Sequence, residues 1–165
     1  MISVIVYGRN DSYGYNLHKR AALSLNNFAH LLTAESDEIL FVDYNTPDGF
    51  PTFPEAIADT LTKAAWEKLR IFRVSENQHK SLRITTHLKT LEPIARNVAL
   101  RRSNPANRWI LSTNTDMLLA PRKEWGISEV AEHLPDGQYG IPRFEIPEGL
   151  WEGLDRQNPA AAIEA

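Results

Sequence analysis

The chain has 165 residues, 18 Lys+Arg against 21 Asp+Glu for a net charge of −3, 42% hydrophobic residues and no cysteine. That length fits one domain with a sizeable core, and the composition excludes wholesale disorder and the basic excess of a nucleic-acid-wrapping protein. The lack of cysteine excludes a disulfide framework, a zinc ribbon and thiol catalysis.

No apolar run approaches the roughly 18 residues of a membrane-spanning helix. The opening MISVIVYGRND has no basic n-region or small-residue cleavage site, so it reads as a first strand and not as a signal peptide. The expectation is a soluble cytoplasmic protein. Residues 2–7 are apolar and rich in β-branched side chains, the pattern of a strand buried on both faces in a parallel sheet. Between Asn16 and Thr33 the apolar residues Leu17, Ala21, Leu25, Phe28, Ala29 and Leu32 have helical spacing, with Asn16 as the expected N-cap. Residues 38–44 (EILFVDY) read as a second buried strand, closed by the turn-forming Asn45-Thr46-Pro47-Asp48-Gly49.

Thr52 and Glu55 stand three apart before Ile57, Leu61 and Ala65, a capping box for a second helix. Residues 69–74 (LRIFRV) predict a third strand. Residues 76–90 are polar and aperiodic and carry His79, Lys80, Arg83 and His87. This stretch reads as a long loop with room for a helical turn, solvated and basic, with phosphate gripping as the sharper alternative. Pro93 opens a helix to about Arg102, and residues 109–112 (WILS) predict a fourth strand that ends in Thr113-Asn114-Thr115-Asp116. A short helix over 128–134, a short strand over 139–141 and a frayed tail complete the expectation. Strand–helix alternation predicts a three-layer α/β/α sandwich with a mostly parallel sheet. Residues 1–141 would form the α/β domain and residues 142–165 an irregular C-terminal segment.

In open parallel sheets, ligands bind outside the carboxyl ends of the strands. Polar residues recur there: Gly8, Arg9, Asn10 and Asp11; Asp43 and Asn45; Glu76 and Asn77; Asn114 and Asp116. A carboxylate at the end of a buried strand, such as Asp43, suits a ribose hydroxyl or a base N–H. Arg9 and Asn10 suit a base or a phosphate. Asn114 and Asp116 flank one residue, so in an extended turn both oxygens would face one hard cation, Mg²⁺ or Mn²⁺. A dinucleotide fold needs Gly-x-Gly-x-x-Gly after the first strand and a P-loop needs Gly-Lys-Ser/Thr. Neither is present. Trp109 reads as core packing and Trp151, with Leu150 and Leu154, as packing on a neighbour.

Taken together and in order, these segments resemble the nucleotide-sugar-dependent glycosyltransferases of the GT-A fold, nearest to the large family two. SVIVYGRND (3–11) is similar to that family's opening strand, with Asn10 on the family's Asn, Tyr7 in place of its usual Pro and Arg9 in place of its usual Tyr. EILFVDYNTPDG (38–49) is similar to the second strand, whose closing Asp commonly contacts the nucleotide base; Asp43 takes that place, with Asn45 after it. Ala95-Arg96-Asn97 is similar to an Ala-Arg-Asn element near the phosphates or the sugar, and WILSTNTDMLL (109–119) to the strand entering the Asp-x-Asp metal motif. The resemblance implies nucleotide binding by Tyr7, Gly8, Arg9, Asn10, Asp43, Asn45, Arg96, Asn97 and Thr115. It also implies a Mg²⁺ or Mn²⁺ ion on Asp116 and Asn114, the latter standing where the first metal Asp is usual. The implied reaction is transfer of a sugar from a nucleotide-diphosphate donor to an unknown acceptor, with inversion. The alternative is a catalytically incomplete nucleotide-sugar-binding module. In the family a later segment supplies the acceptor site and a carboxylate base. Here 49 residues follow Asp116, and Glu145, Glu148 and Asp155 are the carboxylates on offer. The length therefore predicts the nucleotide-binding part without a full acceptor half.

Overall fold

A computed structural model of the chain describes residues 1–12, 14–82, 86–121 and 125–164. The strands are β1 (Ile2–Gly8), β2 (Glu38–Tyr44), β3 (Leu69–Val74) and β4 (Trp109–Ser112). They form one sheet in the order β3-β2-β1-β4, parallel throughout. The helices are α1 (Leu17–Leu31), α2 (Phe53–Ala56), α3 (Lys63–Lys68), α4 (Glu76–Ser81), α5 (Glu92–Leu100), α6 (Ile127–His133), α7 (Glu148–Trp151) and α8 (Pro159–Glu164). None of the described helices is long and apolar enough to cross a membrane.

The period-two geometry of a strand sends alternate side chains to opposite faces. Ile2, Val4, Val6, Ile39 and Phe41 join Leu25, Phe28 and Leu32 of the α1 layer, with Ala131 of α6. Ile5, Leu40, Val42 and Tyr44 join Ala95 and Ala99 of α5 on the other face. Both faces of β1 and β2 are thus covered, which explains their unbroken apolar text. The chain is an α/β protein with helices on both faces of a four-strand parallel sheet.

Several local expectations need correction. Asn16 precedes α1 in a left-handed conformation (φ 52°) and makes no side-chain cap; its Nδ2 donates instead to Glu152 Oε1 at 3.4 Å. The expected helix after Thr52 does begin with the Thr52–Glu55 capping box. It then breaks into a 3₁₀ turn (Ala58–Thr60) and α3. The cause is tertiary: buried Asn26 of α1 donates to Thr60 O (2.9 Å) and accepts from Thr62 N (2.8 Å), which fixes a non-helical corner between them. The stretch after β3 does hold a helical turn. It starts with α4, capped by a Ser75–Gln78 box; of its basic residues, Arg83 lies outside the described residues. Residues 139–141 form no strand, and Tyr139 instead meets Trp109 edge to face at 5.7 Å. The expected frayed tail is α8, whose neighbour in the core is reached through Ile163.

Gly8 ends β1 beneath the aromatic pair Phe41–Phe53, stacked at 5.7 Å. A Cβ at Gly8 would stand 2.8 Å from Phe41 Cζ, a ring with no exposed surface. Gly8→Ala is expected to lower stability by about 2 kcal/mol through overpacking, read as a reduced urea midpoint with unchanged m-value.

Candidate functional site

Strands β1, β2 and β3 are laid down in one direction, and β4 then pairs on the other side of β1. The carboxyl ends of β1 and β4 therefore flank the point where the sheet reverses its growth, the place where open α/β sheets open a crevice for ligands. Four of the segments singled out in the sequence meet along this edge, and their mutual contacts decide what each residue is available to do.

On the β2 side the polar residues hold one another. Asp43 pairs in register with Gly8 and has no exposed surface. Its Oδ1 accepts from Thr46 Oγ1 (2.7 Å) and Phe53 N (2.8 Å), while Oδ2 is buried without a hydrogen bond, 3.8 Å from Arg73 Nε. Burial pushes the Asp43 carboxyl above the usual range, against the opposing pull of those hydrogen bonds and of Arg73. Arg73 also donates to Phe50 O and Pro47 O. The expected rim carboxylate is thus roofed by the 46–53 loop, which it organises. Arg9 is likewise buried: its Nε donates to Asp11 Oδ2 at 2.5 Å and its Nη1 to Asn45 O. Asn10 donates through its backbone to Thr46 Oγ1 (2.9 Å) and through its side chain to Pro51 O (3.0 Å). Asn45 sits at φ 59° and donates to Lys89 O at 2.6 Å. Arg9, Asn10, Asp43 and Asn45 are brought together, as loop braces.

On the β4 side the groups are more open. Arg96 of α5 donates to Glu92 (2.8 Å), Ser112 Oγ (2.6 Å), Thr113 O (3.0 Å) and Asn114 Oδ1 (3.1 Å), and its guanidinium lies over the Tyr7 ring at 5.2 Å. Hydrogen bonding from Arg96, with a further bond from Tyr7, holds Glu92 below the usual carboxylate range despite some burial. Burial and the Glu92 carboxylate push the Tyr7 hydroxyl up, against Arg96. Thr115 Oγ1 donates to Tyr7 O and ties the turn after β4 to β1. Asp116 is ion-paired with Arg20 of α1. Arg20 also donates to Tyr15 O (3.0 Å) and lies over the Trp151 ring at 5.9 Å. Asn97 is exposed on α5.

The expected pairing of Asn114 and Asp116 on one cation is not the arrangement found. Asn114 is held by an arginine of α5 and Asp116 by an arginine of α1, two helices on opposite faces of the sheet. Among the described residues no three His, Asp or Glu side chains converge as a metal site would require. As placed, this donor set does not fit Mg²⁺ or Mn²⁺: one carboxylate and one amide are present, each already bonded to a guanidinium.

Sequence reasoning missed Arg20, Glu92 and Arg73. Arg20 did leave a signal. Lys19 and Arg20 stand in the first turn of α1, which has no acidic residue, although cations are disfavoured at the positive end of a helix. One hollow borders the site and a larger one lies apart from it. The smaller, about 170 Å³, opens between α1 and α2 and is lined by Asn10, Ser12, His18, Phe53 and Ile57. The larger, about 540 Å³, lies away from the switch point under β3, α4 and α5, beside Phe72, Leu82 and Ile94. No family model, curated protein or solved structure matches this chain.

Proposed function

We propose that the β1/β4 switch point takes the diphosphate of a nucleotide-diphospho-sugar and that the chain is the donor-binding α/β domain of a GT-A-type glycosyltransferase. One observation carries this reading. The four segments that resemble family two, far apart in sequence, lie along a single sheet edge and are cross-linked there: Tyr7 to Thr115 and Arg96, Arg96 to Asn114, Arg9 to Asn45. Parallel topology with a reversal between β1 and β4 supports it. So does the partly exposed Arg20 guanidinium beside that reversal, since guanidinium geometry matches phosphate oxygens. In this reading the basic groups would stabilise charge on a departing diphosphate.

A specific feature favours the second reading, a binding module without catalysis. The carboxylates at the crevice are engaged by arginines: Asp11 by Arg9, Glu92 by Arg96 and Asp116 by Arg20. A general base must be deprotonated and able to accept a proton near neutral pH. Glu92, held below the usual range, is poorly suited to that.

Thermal unfolding with UDP-, GDP- and dTDP-sugars tests both readings. A bound donor at a hundredfold its Kd is expected to raise Tm by about 5–10 °C. Release of nucleoside diphosphate from the stabilising donor supports the transferase, and stabilisation without turnover supports the module. No shift with any donor rejects both.

A further inference from the structure

We infer that the diphosphate is met by the Arg20 guanidinium directly, with Asp116 aiming that guanidinium instead of ligating a divalent cation; this deepens the donor-binding reading and rests on it. Arg20 is clamped from several sides. Asp116 Oδ2 engages Nη1, Tyr15 O accepts from Nη2, and the Trp151 ring lies beneath at 5.9 Å. A guanidinium has five N–H donors. With these partners met, Arg20 keeps N–H groups for an incoming oxyanion, and its side chain is 30% exposed. Arg96 differs: Glu92, Ser112, Thr113 and Asn114 take up its donors. It serves as the latch that shapes the turn after β4.

Local charge points the same way. The first turn of α1 carries Lys19 and Arg20, contains no acid, and starts at a residue that gives no side-chain cap. Helix dipole and side chains are both positive there, and Asp116 is the carboxylate bound to Arg20. A phosphate would relieve that excess. A divalent cation on Asp116 would add to it, since it would sit beside a guanidinium that cannot lose its proton. Asp116 thus has the work of a positioning residue. It holds a planar fork in one orientation, which lowers the ordering cost of a bidentate phosphate contact.

Calorimetric titration of UDP, GDP and dTDP, each in EDTA and in Mn²⁺, decides the matter. At least one nucleotide is expected to bind with the same Kd in both buffers within about twofold. Arg20→Gln should weaken it more than tenfold, the loss of a charge-assisted contact. Arg20→Lys, which keeps the charge without the fork, should fall between the two and guards against misfolding of the Gln variant. Asp116→Asn should weaken binding about threefold, equally with and without Mn²⁺. The electron paramagnetic resonance signal of free Mn²⁺ should be undiminished by the protein with nucleotide present. Binding that needs Mn²⁺ and is abolished by Asp116→Asn overturns the inference and leaves the donor-binding reading standing. So does binding unaffected by either Arg20 substitution. Binding by none of the nucleotides in either buffer overturns the donor-binding reading itself, and this inference with it.

Discussion

Asp37→Ala is expected to be among the most destabilising single changes in the chain, removing about 4 kcal/mol by stranding buried donors and breaking a buried charged network. Asp37 lies at the amino edge of the sheet, opposite the crevice, and its side chain has no exposed surface. Oδ1 accepts from Ile2 N at 2.7 Å, and Oδ2 accepts from Ala34 N at 2.9 Å and from Ser128 Oγ at 2.5 Å. One carboxylate thereby fastens the start of β1, the turn before β2 and helix α6. Ser128 in turn accepts from Thr33 N at 3.0 Å, so its loss spreads to the end of α1. A domain of this size has a total stability of only about 5–15 kcal/mol. The alanine variant should therefore unfold at a much lower urea midpoint. The pH dependence follows from the same contacts. Burial by itself would raise the Asp37 carboxyl, but the bonds from Ser128, Ile2 and Ala34, with the terminal ammonium, outweigh it and hold it below the usual range. Its neighbour Glu38 is also held low against burial, by Asn104 N, Arg70 and Ser3. A carboxylate with a depressed folded pKa stabilises fully above its unfolded pKa and loses that contribution as pH falls through the folded one. The gap between wild type and Asp37→Asn should therefore be widest at neutral pH and narrow through the acid range below about pH 4. A gap that stays constant from pH 7 to pH 3 would show that the charge is irrelevant to the contact.

Strands β1 and β2 were legible because both of their faces are covered. Apolar runs such as residues 38–44 need no partner information to be recognised, and all of β2 is buried. The strand-end residues were legible as a set but not in their roles. Arg9 and Asn45 lie 36 residues apart, as do Asn10 and Thr46, and nothing local in the text couples them. A buried polar group must find a partner, and in Arg9, Asn10, Asp43 and Asn45 the partner is a neighbouring loop. The same limit hid the corner at 60–62, where one asparagine of α1 overrides a helical apolar period. Helix α4 was legible only as a helical turn. Its Ser75–Gln78 capping box marks the start, but the residues after it are polar all round, and a short exposed helix has no apolar stripe to set its length. Arg20 is not legible as a partner of Asp116, because the ion pair spans 96 residues of sequence.

Asp43→Ala is expected to lose about 3 kcal/mol, since Phe53 N and Thr46 Oγ1 would both be left without their buried acceptor. Loss of that acceptor should free the 46–53 loop that roofs the strand end. Hydrogen exchange at residues 46–55 is therefore expected to rise before global unfolding. Asp43→Asn separates charge from shape. Its carbonyl can keep the Oδ1 contacts, and it removes the oxygen that has no hydrogen bond beside Arg73. Burial raises the folded pKa of Asp43. The sign is thus opposite to that of Asp37: its stabilising contribution is full below the unfolded pKa and is lost as pH rises through the folded value. The Asn variant should accordingly compare best with wild type at neutral pH and lose ground as the solution is acidified. On the proposed donor-binding reading, nucleotide affinity separates two roles for Asp43. If the carboxylate braces the loop, Asp43→Asn should bind nucleotide within about twofold of wild type while Asp43→Ala loses affinity together with loop protection. If instead it reads the base directly, Asn presents an N–H where the base expects an acceptor. Affinity should then fall by tenfold or more, on the order of one charged hydrogen bond, with the loop still protected.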